Sequence, residues 1–197
     1  MNRAITLLLS SAVLLLLPGP ACAQRFGGDF GGGGGFWLVY VDPGVDSDRS
    51  FGREVGGVVA MGGRGFLQTG KVRLGGGAFG GGFVDEGINS GGNRVQGGFS
   101  AGGFTAEYLV VQQNLELAIG GMAGGGVLTI EEIVSVSGAL EELRRRRESM
   151  FVGYPWIRVG YNPAPFINVG LQLGYILGTQ DVEGFAVGLD IMAGLIP

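Results

Sequence analysis

Apolar residues alternate with small or polar ones along the segment FINVGLQLGYIL near the C-terminus. Val169, Leu171 and Leu173 occupy every second position, and Gly170 and Gly174 lie among the positions between. Because successive side chains of a β-strand point to opposite faces of the sheet, this period of two predicts a strand with one apolar face and one thin face. We therefore expect the three apolar residues to share one environment and the two glycines to share the opposite one.

The same pattern recurs along the chain and predicts an all-β fold. Glycine, at 43 of 197 residues, opposes helix formation, while a hydrophobic fraction of 46% argues against a disordered chain. Short connections rich in turn-forming residues favour hairpins over βαβ units. We predict a single antiparallel meander of about eight strands that closes into a barrel or flattened barrel. The extended segments lie at 36–41, 57–68, 71–83, 94–111, 115–130, 150–161, 166–177 and 182–196.

One segment, SVSGALEELRRRRES at 135–149, departs from the alternation. Two glutamates precede arginines by four residues, a spacing that supports ion pairs on a helix, so we predict one short exposed helix in a long loop. Its arginine run could contact anionic lipid headgroups or surface polysaccharide, or it could be a solvated helix face with internal ion pairs. The candidate contact residues are Arg144, Arg145, Arg146 and Arg147.

The N-terminus has the features of an export signal. A basic amino end precedes an apolar run at 5–17, and the small residues Ala21-Cys22-Ala23 follow it. We predict a secretory signal peptide at 1–23 that is cleaved before Gln24. A membrane anchor is the alternative, although the run is shorter than the roughly 20 residues that cross a bilayer, and lipidation of Cys22 is a third. We predict a Gly-rich flexible leader at 24–35 and a β-barrel-like domain at 36–197.

The mature chain would lack the side chains on which many active sites depend. The sequence contains no histidine, and its one cysteine lies in the predicted signal peptide. Disulfides, cysteine or histidine metal sites and Ser/His/Asp triads are therefore excluded. Without Arg3 the net charge becomes 12 − 17 = −5, which disfavours nucleic acid as a partner. We expect a non-enzymatic protein with no catalytic residue, no cofactor and no metal.

Two short motifs give weaker indications of a ligand-binding or catalytic site. The glycines of the segment at 75–80 have the spacing of a dinucleotide-binding loop, but no helix is predicted after them to present amide groups to a phosphate. The adjacent Glu131 and Glu132 would point to opposite sides of a strand, so they would form a poor acid and base pair.

Aromatic residues lie near the ends of the last predicted hairpin. Such positions suit a membrane–water interface, and packing in a core is the alternative explanation. The candidate interface residues are Tyr154, Trp156, Tyr161 and Tyr175.

An export signal, about eight alternating segments, the hairpin PWIRVGYNPAPFINVGLQLGY and a last strand near the C-terminus resemble a small outer-membrane β-barrel protein over residues 36–197. The resemblance implies an outer-membrane location, lipid as a partner and a structural or surface role in the cell envelope. The chain departs from this pattern by ending in Leu195-Ile196-Pro197 instead of an aromatic residue. Its thin face, rich in Gly, Ala and Ser, also differs from the bulky polar lining of such barrels.

A glycine-lined interior would leave voids in an eight-stranded barrel, so we predict a filled or flattened interior without an open pore. The alternative is a soluble secreted or periplasmic Gly-rich β-sheet protein that acts as a binding or self-assembling surface module. Self-association would then use the Gly-rich strand faces, because glycine allows close approach of another backbone.

Overall fold

The structure, a computed structural model, describes residues 30–42, 57–84, 87–88, 94–136, 140–179 and 182–195. The predicted signal peptide and residues 24–29 of the predicted leader lie outside these residues. Within them, no helix is long and apolar enough to cross a membrane. The strands are β1 (Phe30–Val41), β2 (Val58–Thr69), β3 (Val72–Phe83), β4 (Gly87–Ile88), β5 (Arg94–Gln112), β6 (Leu115–Val136), β7 (Leu140–Ala164), β8 (Ile167–Gly178) and β9 (Glu183–Leu195).

Eight of these strands form a closed antiparallel ring. Each pairs with the next along the chain, β3 pairs with β5, and β9 closes the ring by pairing with β1. Among the described residues, the two-residue strand β4 pairs only with the start of β5. The predicted antiparallel meander of about eight strands that closes into a barrel is therefore confirmed.

The strand register gives the stagger of the ring. Pairing partners can be followed from Tyr40 around the ring in two directions. One path crosses β2, β3, β5 and β6 and reaches Arg147 on β7; the other crosses β9 and β8 and reaches Ile157 on the same strand. The two paths meet β7 at positions that differ by 157 − 147 = 10 residues. Such a stagger requires strands that tilt relative to the barrel axis, and eight strands leave an interior just wide enough for side chains to fill.

The two ends of the ring differ. At one, the turn end, tight turns connect the strands; one of them is Gly70-Lys71, where Gly70 has the positive φ of 54° that glycine adopts without strain. At the other, the loop end, β5, β6 and β7 extend beyond their neighbours. The last β7–β8 pair is Val152 with Gly178, and the last β3–β5 pair is Gly82 with Gly98. We call residues 94–97, 129–136 and 140–150 with β4 the protruding sheet.

The predicted helix at 135–149 is wrong. The described residues of that range, 135–136 and 140–149, are strand. Residues 140–147 pair in register with Val136 through Thr129 of β6, so the ladder provides the backbone hydrogen bonds that a helix would otherwise supply. The charge pairing that suggested a helix also occurs between strands, since Arg145 lies 3.2 Å from Glu131.

Strand β1 begins inside the segment that we predicted to be a flexible leader. Residues 30–35, with five consecutive glycines, pair with β2, and Gly32 through Gly35 also pair with β9. Because β2 and β9 supply hydrogen-bond partners to the backbone of this segment, its glycines form an ordered strand without side chains.

The residues of β8 lie on the two faces that the sequence predicts. Leu171 and Leu173 are exposed on the outside of the ring, whereas Gly170 and Gly174 face the interior. A Cβ atom on Gly170 would meet the guanidinium group of Arg158, which is fully buried. The prediction that the leucines and glycines of this strand occupy opposite environments is confirmed.

The interior glycines provide room for large side chains. A Cβ atom on Gly77 would lie 3.0 Å from both Trp37 and Arg64, and one on Gly188 would lie 3.3 Å from Trp37 and Gln172. In an interior that side chains fill, a tryptophan or arginine needs a partner position with little volume. The glycines of the thin face therefore leave the space that a few bulky interior side chains occupy.

A leucine replacing Gly174 should destabilise the protein by about 1 to 3 kcal/mol, because the interior has no room for the added carbons. A Cβ atom there would lie 2.5 Å from the Pro155 carbonyl oxygen and from a ring carbon of Tyr154. The matched control is Gly125→Leu, since Gly125 faces outward with its nearest contact at 4.0 Å. Unfolding in urea in the presence of detergent or lipid measures both; equal stability of the two variants would contradict a filled interior.

Candidate functional site: a charged interior and an apolar outer surface

Six charged side chains lie buried inside the ring, and each comes from a different strand. Three are basic and three acidic, so their formal charge is 3 − 3 = 0. Buried charges are tolerated when they are paired and hydrogen-bonded. We call the six the interior network: Arg64, Arg73, Glu107, Glu116, Arg158 and Asp190.

Asp190 is the acceptor at the centre of this network. Its carboxylate oxygens accept hydrogen bonds from Arg64 Nη2 at 2.7 Å and from Arg158 Nε and Nη2 at 2.9 and 2.6 Å. The amide of Gln172 also donates to it at 2.6 Å. Arg64 continues the network by donating from Nη1 to Glu107 at 2.8 Å.

A second group extends the network towards the turn end. Arg73 donates from both Nη atoms to the two oxygens of Glu116 at 2.9 Å, which is the bidentate geometry of a strong ion pair. Arg158 Nη1 joins this pair to the first group with a bond of 3.3 Å to Glu116. Asn162 donates to the same glutamate at 3.2 Å and to the carbonyl of Gln113 at 3.0 Å, so the network reaches a turn.

Aromatic side chains cover the network. The ring of Trp37 lies 5.9 Å from Tyr154 and 5.7 Å from Trp156, and the guanidinium carbon of Arg64 lies 5.7 Å from the Trp37 ring centre. The two indoles also join the network, because Trp37 Nε1 donates to Gln172 at 3.1 Å and Trp156 Nε1 donates to Glu107 at 2.8 Å. Apolar residues continue the filling beyond the aromatic rings; they include Val39, Val41, Val58, Val152 and Ile176.

Two predictions about the interior are therefore corrected. The lining is not mainly Gly, Ala and Ser; it also holds the interior network and the aromatic rings, because the glycines leave space for them. Tyr154 and Trp156 do not lie at an interface, since both are buried inside the ring. Their positions on β7 alternate with the outward Ile157 and Val159, so they belong to the inward face with Arg158.

A signal for the interior network was present in the sequence. Each member is flanked along its strand by residues that point outward; the segments WIRVG and GLDIM around Arg158 and Asp190 show this. A single charge flanked by apolar residues on an alternating strand indicates an inward position in a barrel whose outside is apolar. The partners could not be assigned, because pairing across the interior depends on strand register.

The outside of the ring is apolar. Between Ile167 and Leu177 on β8, and between Phe185 and Ala193 on β9, the described outward positions carry no charged side chain. We call this surface the outer belt. Its large exposed residues include Phe36, Tyr40, Met61, Leu67, Leu74, Phe104, Tyr108, Leu115, Ile119, Phe151, Ile157, Val159, Leu171, Leu173, Phe185, Leu189 and Ile191.

The two other candidate interface aromatics are on the outside. Tyr161 is exposed where β7 approaches the turn end. Tyr175 is half-buried and packs edge to face on its cross-strand partner Phe185, with ring centres 5.2 Å apart. Contact of these two rings with a membrane–water interface stays a prediction.

The arginine run lies on the protruding sheet. All four of its residues are exposed, and Arg146 pairs with Glu148 on the same strand. Contact of Arg144, Arg145, Arg146 and Arg147 with an anionic surface stays a prediction. Self-association through Gly-rich strand faces stays one as well.

The weaker motifs form no site in the described residues. The glycine motif at 75–80 lies within β3, and no helix follows it among the described residues. The carboxylate of Glu131 is engaged with Arg145, which opposes a role as a catalytic base. No group of three or more His, Cys, Asp or Glu side chains that could hold a metal occurs in the part of the chain that the structure describes.

Comparisons with solved structures give likenesses in fold. The chain is similar to Ail, the attachment invasion locus protein of Yersinia pestis, with a TM-score of 0.49 and 11% identity over 85% of this chain and 99% of that one. It is also similar to Neisserial surface protein A, with a TM-score of 0.44 and 9% identity over 84% and 94% of the two chains. No protein-family model and no curated protein matches the chain. The function proposed below rests on this chain's own residues.

Removing the carboxylate of Asp190 should destabilise the protein by about 3 to 5 kcal/mol, because Arg64 and Arg158 would keep buried charges with one acid fewer. Asp190→Ala is the test, and Glu183→Ala on the same strand is the matched control, since Glu183 is exposed. The control should change stability by less than about 0.5 kcal/mol. The free energy of unfolding measures both, and a loss below 1 kcal/mol for Asp190→Ala would contradict the central role of this acid.

Proposed function

We propose that the protein is a non-enzymatic outer-membrane β-barrel with a structural or surface role in the cell envelope and no open pore. One observation carries the proposal: the outer belt of a closed ring of strands is apolar and uncharged, and six charged side chains lie inside the ring. A protein that folds in water buries most of its large apolar groups and keeps its charges outside. This ring has the opposite arrangement, which suits a lipid surrounding.

The exposure of the outer belt supports a lipid partner. Phe185 is 76% exposed, Leu173 61% and Leu67 60%. These residues lie on three different strands, so the exposed apolar surface extends around the ring. Soluble monomers rarely expose contiguous apolar patches of more than a few hundred Å². In the part of the chain that the structure describes, the ring also has no free strand edge at the level of the outer belt, so the backbone polar groups there are paired, as the hydrocarbon core requires.

The filling of the ring supports a closed interior. A water-filled path would have to cross the aromatic layer of Trp37, Phe79, Tyr154 and Trp156, whose ring centres are 5.1 to 6.1 Å apart. It would also have to cross the interior network, in which each acid is bonded to at least one arginine. Eight-stranded barrels of this width hold side chains in place of a channel.

The difference between the ends supports an orientation. Outer-membrane barrels have short turns on the periplasmic side and longer connections outside the cell. The turn end therefore faces the periplasm, and the protruding sheet projects from the cell surface. This arrangement makes the protruding sheet the part that is accessible to other molecules.

Fractionation and solute flux test the proposal together. The mature protein should partition with outer membranes, stay folded only in detergent or lipid, and give liposomes no more solute flux than empty vesicles show. Recovery as a folded monomer from the periplasm or the medium would contradict the membrane assignment. Flux well above that of empty vesicles would contradict the closed interior.

Substitutions at Leu171 separate a lipid surrounding from a protein core. Leu171→Arg should cost about 2 to 4 kcal/mol and impair insertion if this side chain meets lipid near the middle of the bilayer. Leu171→Ala should cost far less, because lipid can fill the lost volume. In a protein core, the alanine variant itself would cost about 2 to 5 kcal/mol. Folding into lipid vesicles from urea gives both values, and a large loss for the alanine variant would contradict contact with lipid.

A further inference from the structure

The outward face of β5, β6 and β7 changes from apolar to polar where the outer belt meets the protruding sheet. Residues that pair across the three strands form rows, and successive outward rows lie about 7 Å apart along the strands. The first row is small or apolar, the second adds two hydroxyl groups, and the third and fourth carry charges. Towards the loop end the rows are Gly102, Gly125 and Phe151; Ser100, Val127 and Ser149; Gly98, Thr129 and Arg147; and Gln96, Glu131 and Arg145.

Strand parity divides the arginine run between two faces. Arg145 and Arg147 are an even number of positions from the exposed Phe151, so they point to the outside of the barrel. The other two arginines share the opposite face with the buried Met150. The four arginines therefore cannot all contact one surface.

Arg147 is the outward arginine without an acidic partner. Arg145 lies 3.2 Å from Glu131, whereas no acid among the described residues pairs with Arg147, which is exposed. Thr129 is its direct neighbour across the ladder, and Ser149 lies two positions along its own strand. A guanidinium group binds phosphate oxygens through parallel hydrogen bonds, and hydroxyl groups can donate to the same oxygens. This combination of side chains suits a phosphate group.

An apolar groove lies on the turn-end side of these polar residues. It has a volume of about 460 Å³, within the range of ligand clefts, and its lining includes Ala78, Ser100, Gly102, Gly125, Val127 and Ser149. In the row of Gly102, four small residues separate the rings of Phe36 and Phe151; they are Gly63, Ala78, Gly102 and Gly125. The groove is therefore continuous with the outer belt at one end and with the hydroxyl groups beside Arg147 at the other.

We propose that the groove and Arg147 together bind one membrane lipid that carries a phosphate headgroup. An acyl chain lies against Gly102 and Gly125, and the phosphate accepts hydrogen bonds from Arg147 and from the hydroxyl groups of Thr129 and Ser149. The occupant is a lipid because the groove continues the surface that meets lipid, so the inference rests on the proposed function. With the loop end outside the cell, this lipid belongs to the outward leaflet.

Lipid retention in detergent solution tests the headgroup contact, because native mass spectrometry counts the lipids that remain on each folded protein. The wild type should retain one phosphatidylglycerol and prefer it over phosphatidylcholine, in which a choline cation neutralises the phosphate. Arg147→Gln should reduce this preference about tenfold, because a charged hydrogen-bond donor is lost. Arg144→Gln is the matched control: it removes the same charge from the opposite face and should leave the preference unchanged.

Gly125→Leu tests the groove. An added Cβ atom would have its nearest contact at 4.0 Å, so the leucine is compatible with the fold and occupies the space of several methylene groups of the lipid. Retention of both lipids should fall at least about tenfold. Gly153→Leu is the matched control, since Gly153 faces outward without lining the groove and a Cβ atom there would meet only ordinary contacts, the nearest at 3.7 Å. This control should retain lipid like the wild type.

Several outcomes would overturn the inference. They are a wild type that retains no phosphatidylglycerol, an Arg147→Gln variant that keeps the wild-type preference, and equal losses in Arg147→Gln and Arg144→Gln. Displacement of the lipid by an equal concentration of glycerol phosphate would assign the site to a soluble anion. A dimer in sedimentation that Gly125→Leu abolishes would assign the groove to a second copy. Each of these results leaves the outer-membrane assignment intact, whereas recovery of the folded mature protein without detergent would contradict the proposed function itself.

Discussion

The hydrogen bonds between Asp190 and two arginines hold the interior of the ring together. Arg64 comes from β2, Arg158 from β7 and the acid from β9, so one carboxylate connects both sides of the strand pair that closes the ring. These charges are acceptable inside only because three bases meet three acids and share hydrogen bonds. The network thereby allows the barrel to place its polar groups inside and to leave the outside apolar.

The high glycine content of the chain follows from the same need to enclose large side chains inside the ring. A ring of eight strands has a narrow interior, and large side chains such as Trp37 and Arg158 can enter it only where facing positions are small. Gly188 faces the indole of Trp37, and Gly170 faces the guanidinium of Arg158. The high glycine content therefore belongs to a filled interior, and outward glycines such as Gly125 have open space in front of them.

The alternation of residues was sufficient to predict the strands, their antiparallel order and the opposite faces of Leu171 and Gly174. It was not sufficient for the interior, because contacts such as the one from Arg73 to Glu116 depend on the register of strands that are distant in sequence. The helix predicted at 135–149 failed for a related reason: glutamates and arginines four residues apart suit a helix, but pairing with β6 decides the structure there. A position near a strand end predicts an interface for Tyr154 and Trp156. Both residues are an even number of positions from Arg158, however, and therefore share its inward face.

The account depends on lipid contact of the outward face, and spin labels along β8 test this most directly. The predicted mature chain contains no cysteine, so single variants from Ile167→Cys to Leu177→Cys can each be treated with a nitroxide reagent in protein reconstituted into lipid. Labels at 169, 171 and 173 should attach and should collide more often with oxygen, which concentrates in lipid, than with a water-soluble nickel complex. Cysteines at 170, 172 and 174 should resist labelling, because the filled interior has no room for the nitroxide. High accessibility of the outward labels to the nickel complex would contradict the account.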